Sequence, residues 1–314
     1  MAAMQAPPPD PAATASVGTA TGAGSGRPAD GPVREASLWS DAWRQLRRNP
    51  LFLGSAVLIA LFTLMAIVPG LFTRADPRAC DLTNSLVRPS GEHWFGFDLQ
   101  GCDYYAKVVH GARVSMTIGI ATVAGTALVA VVLGTLAGFY GGFIDTLIAR
   151  LTDIWFALPT LLGAVVVLAV LGGKGLPQLT FVLVIFGWPT MTRLMRSAVL
   201  SVRDMEYVTA ARALGAGDLR LMYRHILPNA LAPVIVYGAI RVGIVIAAEA
   251  TLSFLGLGLQ LPAISWGLMI AGAQPRLLSA PHLLLFPGLF LSLTVLAFVL
   301  LGDALRDAFD PRLR

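Results

Sequence analysis

Apolar and polar positions fall along this chain in long blocks, not at the short periods of a soluble domain. The apolar blocks cover residues 51–72, 114–137, a run ending at 171, 176–191, 227–259 and 283–301. Crossing hydrocarbon takes roughly 20 residues of helix, and inside lipid only helices or closed barrels satisfy their own backbone. The blocks therefore predict an all-α integral membrane protein with about six transmembrane helices. Pro159 is expected to kink the third span and Pro189 to break the fourth. The breaks between spans are a turn at 138–145 (GFYGGFID), a turn at 172–175 (GGKG) and three longer polar segments at 73–111, 203–228 and 260–281. The last of these either re-enters the membrane or meets a partner.

Before the first span, residues 37–48 (SLWSDAWRQLRR) place Leu38, Trp39, Ala42, Trp43 and Leu46 on one helical face. That predicts an interfacial amphipathic helix over 37–50; a plain positive flank is the alternative, and both give the same orientation. Residues 1–36 are rich in Ala, Pro, Gly, Ser and Thr without an apolar run, which predicts a disordered tail. The expected layout is thus a tail (1–36), an interfacial helix (37–50), a first span (51–72), an outer loop (73–111), a membrane core (112–306) and a short tail (307–314).

Composition agrees. Of 314 residues, 56% are hydrophobic and 13% charged, where a soluble domain carries roughly twice that charged share. The net charge of +5 does not point to nucleic acid, because the arginines cluster at the ends of apolar blocks and no aromatic–basic patch exists. They act as topology determinants. Arg44, Arg47 and Arg48 put the N-terminus in the cytoplasm, six crossings return the C-terminus there, and segment 73–111 lies outside. Both cysteines, Cys80 and Cys102, sit in that outer segment, which favours a disulfide.

Segment 203–228, RDMEYVTAARALGAGDLRLMYRHILP, is the main polar break on the cytoplasmic side. It carries Arg203, Arg212, Arg220 and Arg224 around a short helix-favouring core with Ala210, Ala211 and Ala213. Asp204 is a candidate N-cap, and Gly215 and Gly217 are candidate stops. A short helix with an alanine face suits docking better than catalysis. The stretch resembles the coupling-loop motif of permease subunits of ATP-binding-cassette importers: Glu-Ala-Ala, three residues, Gly, nine residues, Ile-x-Leu-Pro. Ala210, Ala211, Gly215, Leu227 and Pro228 match, while Thr209 replaces the Glu and His225 the Ile. The resemblance implies a coupling helix that sits in a groove of an ATPase, with Glu206, Tyr207, Thr209, Ala210, Ala211, Leu214 and Gly215 as its contacts. Glu206, one turn before Thr209, is positioned to substitute for the missing carboxylate.

Two further stretches extend the resemblance over most of the chain. Residues 93–105 (HWFGFDLQGCDYY) resemble the family's outer signature at Phe95, Gly96, Asp98, Gly101 and Asp103, with Phe97 and Cys102 in place of its Thr and Arg. Residues 248–258 (AEATLSFLGLG) resemble the peptide branch, as does LGDALRDAFDPR at the C-terminal end. The fifth block holds Arg241 and Glu249, two turns apart and on roughly one face. Buried charges in lipid face a partner or water, so both are candidates for the translocation path or gate. A tether to a neighbouring helix is the equal alternative.

The chain carries no P-loop, HExxH or GxSxG, and its four histidines are dispersed. It is therefore expected to bind no cofactor or metal and to be no enzyme. The resemblance implies a type I importer permease of the second peptide-permease type and its partners: a homologous second permease, two ATPase subunits using ATP and Mg, and an extracytoplasmic binding protein. Substrates of that branch include peptides, nickel, glutathione and oligosaccharides. An ion-driven carrier or channel is the runner-up, weakened by a single candidate intramembrane acid and no inverted repeat; a membrane scaffold is a third reading.

Overall fold

The computed structural model describes residues 43–172 and 175–309. The expected tail at 1–36, residues 310–314 of the tail expected at 307–314, the first part of the interfacial helix and the middle of the 172–175 turn lie outside these residues. Among the described residues the fold is helical with no strand. Of the interfacial helix, a single turn at 43–46 is described.

Helix α1, Pro50–Ile67, starts where Asn49 accepts from the amides of Leu51 and Phe52 and Pro50 supplies a preset first turn. It stops at Val68, short of the block's end at 72, because Pro69 bars helical backbone in the residue before it. A tight turn, Pro69–Leu71, follows. Helix α2, Tyr104–Tyr140, is 37 residues long and so spans roughly 55 Å. It begins ten residues before the apolar block at 114, capped by Asp103, whose carboxylate accepts from the Ala106 amide at 2.8 Å.

Helices α3, Gly142–Ala157, and α4, Thr160–Leu171, meet at 88°. Pro159 therefore makes a corner and not a kink. Helix α5, Leu176–Arg203, runs unbroken through Pro189, against the sequence expectation. Trp188 and Pro189 are both buried there, and packing holds a helix that its freed carbonyl would weaken in isolation. After α6, Glu206–Ala213, come a short turn, a π-helical stretch Leu221–Ile226 and a further turn Leu227–Ala230. The fifth span, α7, is thus Ala232–Phe254, shorter at both ends than the block that predicted it. Helix α8 is Trp266–Ala273, and α9, His282–Phe309, carries the last span eight residues past 301.

Among the described residues α1, α2, α7 and α9 are long and apolar enough to cross a membrane, and the bent pair α3–α4 makes a fifth. The expected fourth span is α5. It has the length, but Arg193, Arg196 and Arg203 in its second half take it out of the purely apolar class.

One seam organises the bundle. A Cβ at Gly125 would meet Val184, at Gly134 it would lie 2.6 Å from Met195 Cβ, and at Gly138 2.8 Å from Val199 Cβ. These pairs rise together in number, so α2 and α5 run parallel and α3–α4 carries the chain back between them. The four-residue spacing of Gly134 and Gly138 lets the two backbones approach closely, as small residues do in lipid. Helix α7 packs into α2 by the same device, with Ile246 and Val242 against Gly119.

Replacing Gly134 with Leu should lower the thermal midpoint of the detergent-purified protein, with a loss of about 1–3 kcal/mol from overpacking. Gly54→Ala on α1, where a Cβ meets nothing within 4 Å, should leave it unchanged. Equal midpoints for both variants would remove the seam from its organising place.

Candidate functional site

Two ends of the bundle concentrate polar structure, and α2 reaches both. At the end that follows Arg203, α6 is held by few contacts. Val208 is fully buried, the Arg212 guanidinium lies over the Phe139 ring at 5.9 Å, and Arg203 donates to the carbonyl of Gly138 at 2.8 Å. Glu206, Tyr207, Thr209, Ala210 and Leu214 are exposed and Ala211 is half-buried; Leu214 is 89% exposed. The helix is bare on every side but one. Asp204 is not its N-cap: Met205 holds that position without a side-chain bond, and Asp204 pairs loosely with Arg203.

Gly215 ends α6 in a defined way. Its amide donates to the Arg212 carbonyl at 3.0 Å and the Ala216 amide to the Ala211 carbonyl at 3.1 Å. Gly215 itself sits at φ +85. This is the Schellman arrangement, which needs left-handed backbone at that residue. Beyond it, the exposed Leu219 and Tyr223 extend the bare surface. Glu206 and Thr209 make no ion pair with each other's surroundings; the Thr209 hydroxyl donates back to the Met205 carbonyl at 3.3 Å. Two turns of α3 are latched to α5 above this face, Asp145 by both carboxylate oxygens to Arg196 and Asp153 to Arg193.

At the opposite end the outer signature is a knot that caps α2. Asp98 accepts from the amides of Gln100 and Cys102, each at 2.9 Å, and pairs with Lys107. Asp103 caps α2 with one oxygen and holds His93 Nδ1 at 2.9 Å with the other. Gly96 and Gly101 both have positive φ, and a Cβ on either would strike backbone. Phe95 stacks on Phe286 of α9 with ring centroids 3.8 Å apart. Cys80 and Cys102 form a disulfide within this knot.

Segment 260–281 folds against the knot. Trp266, with no exposed surface, donates its backbone amide to Ser115 Oγ at 3.2 Å and its indole N–H to the Val108 carbonyl at 2.9 Å, both on α2. Ser265 caps α8 and also donates to Glu249 at 3.0 Å, while Ser253 donates to the same oxygen at 2.9 Å. A cavity of about 250 Å³ lies between knot and segment, lined by Asp98, Lys107, Leu261, Leu268 and Arg276 among others. Glu249 has no exposed surface. One of its oxygens makes a hydrogen-bonded tether from α7 to α8 through Ser265, and the other, Oε2, is buried without a hydrogen-bond partner among the described residues. Arg241 is a different case: it is half-buried, and among the described residues it has neither Glu249 nor any other hydrogen-bonding or ionic partner. The sequence brought the two together by spacing; the structure does not. Ser253 and Ser265 were not singled out from sequence, although a serine one turn after Glu249 and another just before a helix were signals in plain view.

A polytopic helical bundle with a bare docking helix at one end and a knotted, sealed loop at the other defines a membrane transport subunit. Residues 130–314 match the family described as binding-protein-dependent transport system inner membrane component, and residues 37–89 the N-terminal TM domain of oligopeptide transport permease C. The chain is 40% identical to the dipeptide transport system permease protein DppC of Alkalihalophilus pseudofirmus, over 91% of this chain and 94% of that one. It is also 40% identical to the oligopeptide transport system permease protein OppC of Bacillus subtilis, over 90% and 92%, and 39% identical to the glutathione transport system permease protein GsiD of Escherichia coli, over 90% and 93%. Among solved structures, the MetNI methionine ABC transporter in inward-facing form shares the fold, with a TM-score of 0.53, 17% identity, and coverage of 64% of this chain and 96% of that one. The chain belongs to the binding-protein-dependent transport system inner membrane component family. It is a multi-pass protein of the bacterial cytoplasmic membrane.

Removing the Glu249 side chain should strand the hydroxyls of Ser253 and Ser265, a loss of about 1–3 kcal/mol. Glu249→Ala is therefore expected to raise hydrogen exchange across residues 265–273 and lower the thermal midpoint. Unchanged exchange there would mean that the tether does not hold α8.

Proposed function

We propose that this chain is the permease subunit of an ATP-driven importer and forms half of a path for di- and oligopeptides across the cytoplasmic membrane. The observation that carries the reading is α6: eight residues, anchored on one side, bare elsewhere, closed by a Schellman glycine and following directly on α5, which packs along the 37-residue α2. A helix so exposed is completed by a partner's groove. The partner is a nucleotide-hydrolysing subunit, of which the complex has two; a homologous second permease completes the path, and an extracytoplasmic binding protein delivers substrate. ATP and Mg act on the ATPase subunits, and this chain catalyses nothing. Glu206, Tyr207, Thr209, Ala210, Ala211, Leu214 and Gly215 are the coupling contacts.

Both termini and α6 lie in the cytoplasm, a topology supported by the arginines around α6 and by the disulfide at the far end of α2, where an oxidising compartment favours it. Closure of the ATPases on ATP pulls α6 inward. Because α6 continues from α5, and α5 packs along α2, the pull tilts the bundle toward its outward-facing state, and hydrolysis resets it. Peptides are the favoured cargo, supported by the match to the oligopeptide permease domain and by the dipeptide and oligopeptide relatives; glutathione, a tripeptide, is the nearest alternative.

Gly215→Val forces a branched side chain into left-handed backbone, at a cost of about 1–2 kcal/mol. In vesicles holding the full complex it should cut peptide uptake by an order of magnitude while ATP hydrolysis persists and the subunits stay assembled. Wild-type uptake would count against the docking role of α6; uptake without ATP would count against the importer reading altogether.

The topology has its own test. Membrane-impermeant maleimide added to intact cells should label Cys80 and Cys102 only after reduction, and should reach a cysteine introduced at Leu214 only in opened cells. The reverse pattern would invert the orientation.

A further inference from the structure

Arg241 stands out once Glu249 is accounted for. It is the tenth residue of the 23-residue helix α7, near the middle of the span. A guanidinium keeps its charge at any accessible pH, and bare charge at that depth in hydrocarbon is strongly disfavoured. Yet among the described residues Arg241 has no hydrogen-bond or ion-pair partner, and Glu249 lies two turns away with one oxygen committed to two serines and the other buried without a partner.

The surroundings are arranged for something to reach it. Tyr237, Arg241, Ile244, Ala248 and Thr251, three or four residues apart, form one incompletely covered strip of α7, beside an apolar one that includes Ile235, Ala239, Ala247 and Phe254; the polar members Tyr237, Arg241 and Thr251 all fall on the first. Gly187 of α5 and Thr126 of α2 lie beside the guanidinium: a Cβ at Gly187 would be in ordinary contact with Arg241 Nη2, at 3.8 Å, and 3.1 Å from Thr126 Oγ1. One turn along α2 from Thr126, the Thr122 hydroxyl is buried without a hydrogen-bond partner. A lipid-facing strip has no use for this set. A water-filled path crossed by an anionic group does.

We propose that Arg241 is the anion station of the path and takes the free carboxylate of the substrate as it crosses mid-membrane, in the bidentate fashion that suits a guanidinium. The inference rests on the permease reading and narrows its substrates to solutes that carry a carboxylate. A carboxylate on the second permease subunit would satisfy the same chemistry, and the test separates the two.

The chain's two cysteines are paired, so Arg241→Cys introduces its one free thiol. In proteoliposomes holding the full complex, a water-borne methanethiosulfonate should modify that thiol, read by the mass of this subunit. A saturating tripeptide with a free C-terminus should slow the reaction at least fivefold, and its C-terminal amide should slow it less. In parallel, Arg241→Gln should reduce uptake of the free-acid tripeptide at least fivefold relative to the amide, with Arg241→Lys in between and the subunits still assembled. A thiol that is inert in every nucleotide state, or labelled without protection by the peptide, overturns the proposal. So does loss of assembly in Arg241→Gln, which would assign the residue to the partner's carboxylate. If the wild-type complex takes up neither tripeptide, the peptide reading fails, while the labelling still reports whether position 241 faces water.

Discussion

The structure depends on the continuity of α2. Helix α2 runs 37 residues without an internal proline or π-bulge. One end receives Arg203 at the Gly138 carbonyl and Arg212 over Phe139. The other carries the aspartate knot and, through the Val108 carbonyl and Ser115, the buried tryptophan of α8. One continuous element therefore joins the two polar ends with no loop between them. Gly125, Gly134 and Gly138 let α5 pack closely alongside α2 over the half nearer α6.

The two ends are built differently, and the difference is physical. At the knotted end the acids are heavily engaged: Asp98 accepts from two amides and pairs with an ammonium, Asp103 caps α2 and holds an imidazole, and one oxygen of Glu249 takes two hydroxyls, while Glu249 Oε2 and His282 Nε2 stay buried without partners among the described residues. Such networks rigidify what they join. At the inner end, α6 has one buried side chain and a row of bare ones. The two ends thus contrast a bonded loop with a bare surface, and ion pairs latch α3 to α5 near the bare end.

Much of this was legible in sequence because lipid imposes a coarse rule. Apolar blocks located α1, α2, α7 and α9, and the Gly215 stop was readable from the preference of helix ends for glycine. Boundaries were less legible. The start of α2 lies ten residues before its apolar block because Asp103 caps it in water, and hydropathy is blind to a solvated first turn. Pro159 and Pro189 look alike in sequence, yet one turns a corner and the other lies inside a straight helix; the neighbours that bury Trp188 and Pro189 decide, and they are distant in the chain. Spacing placed Arg241 and Glu249 on one face but could not say what each would meet. Ser265, sixteen residues beyond Glu249, is its partner only because α8 folds back.

The outer signature shows how a recognisable motif divides its labour. Its glycines are needed because the backbone of segment 81–89 passes within contact of where a Cβ would stand, and its aspartates because a 37-residue helix protruding from the membrane must be capped and steadied. Phe97 and Cys102 depart from the family pattern at positions whose side chains face the knot and not the cavity. Cys102 brings a covalent tie to Cys80 where the pattern's arginine would bring a charge. Closing that loop removes chain entropy from the unfolded state, by roughly 3 kcal/mol in the loop-closure account. The departure exchanges one form of restraint for another at the same place, the anchored end of the rod, and leaves the mechanics of α2 unaltered.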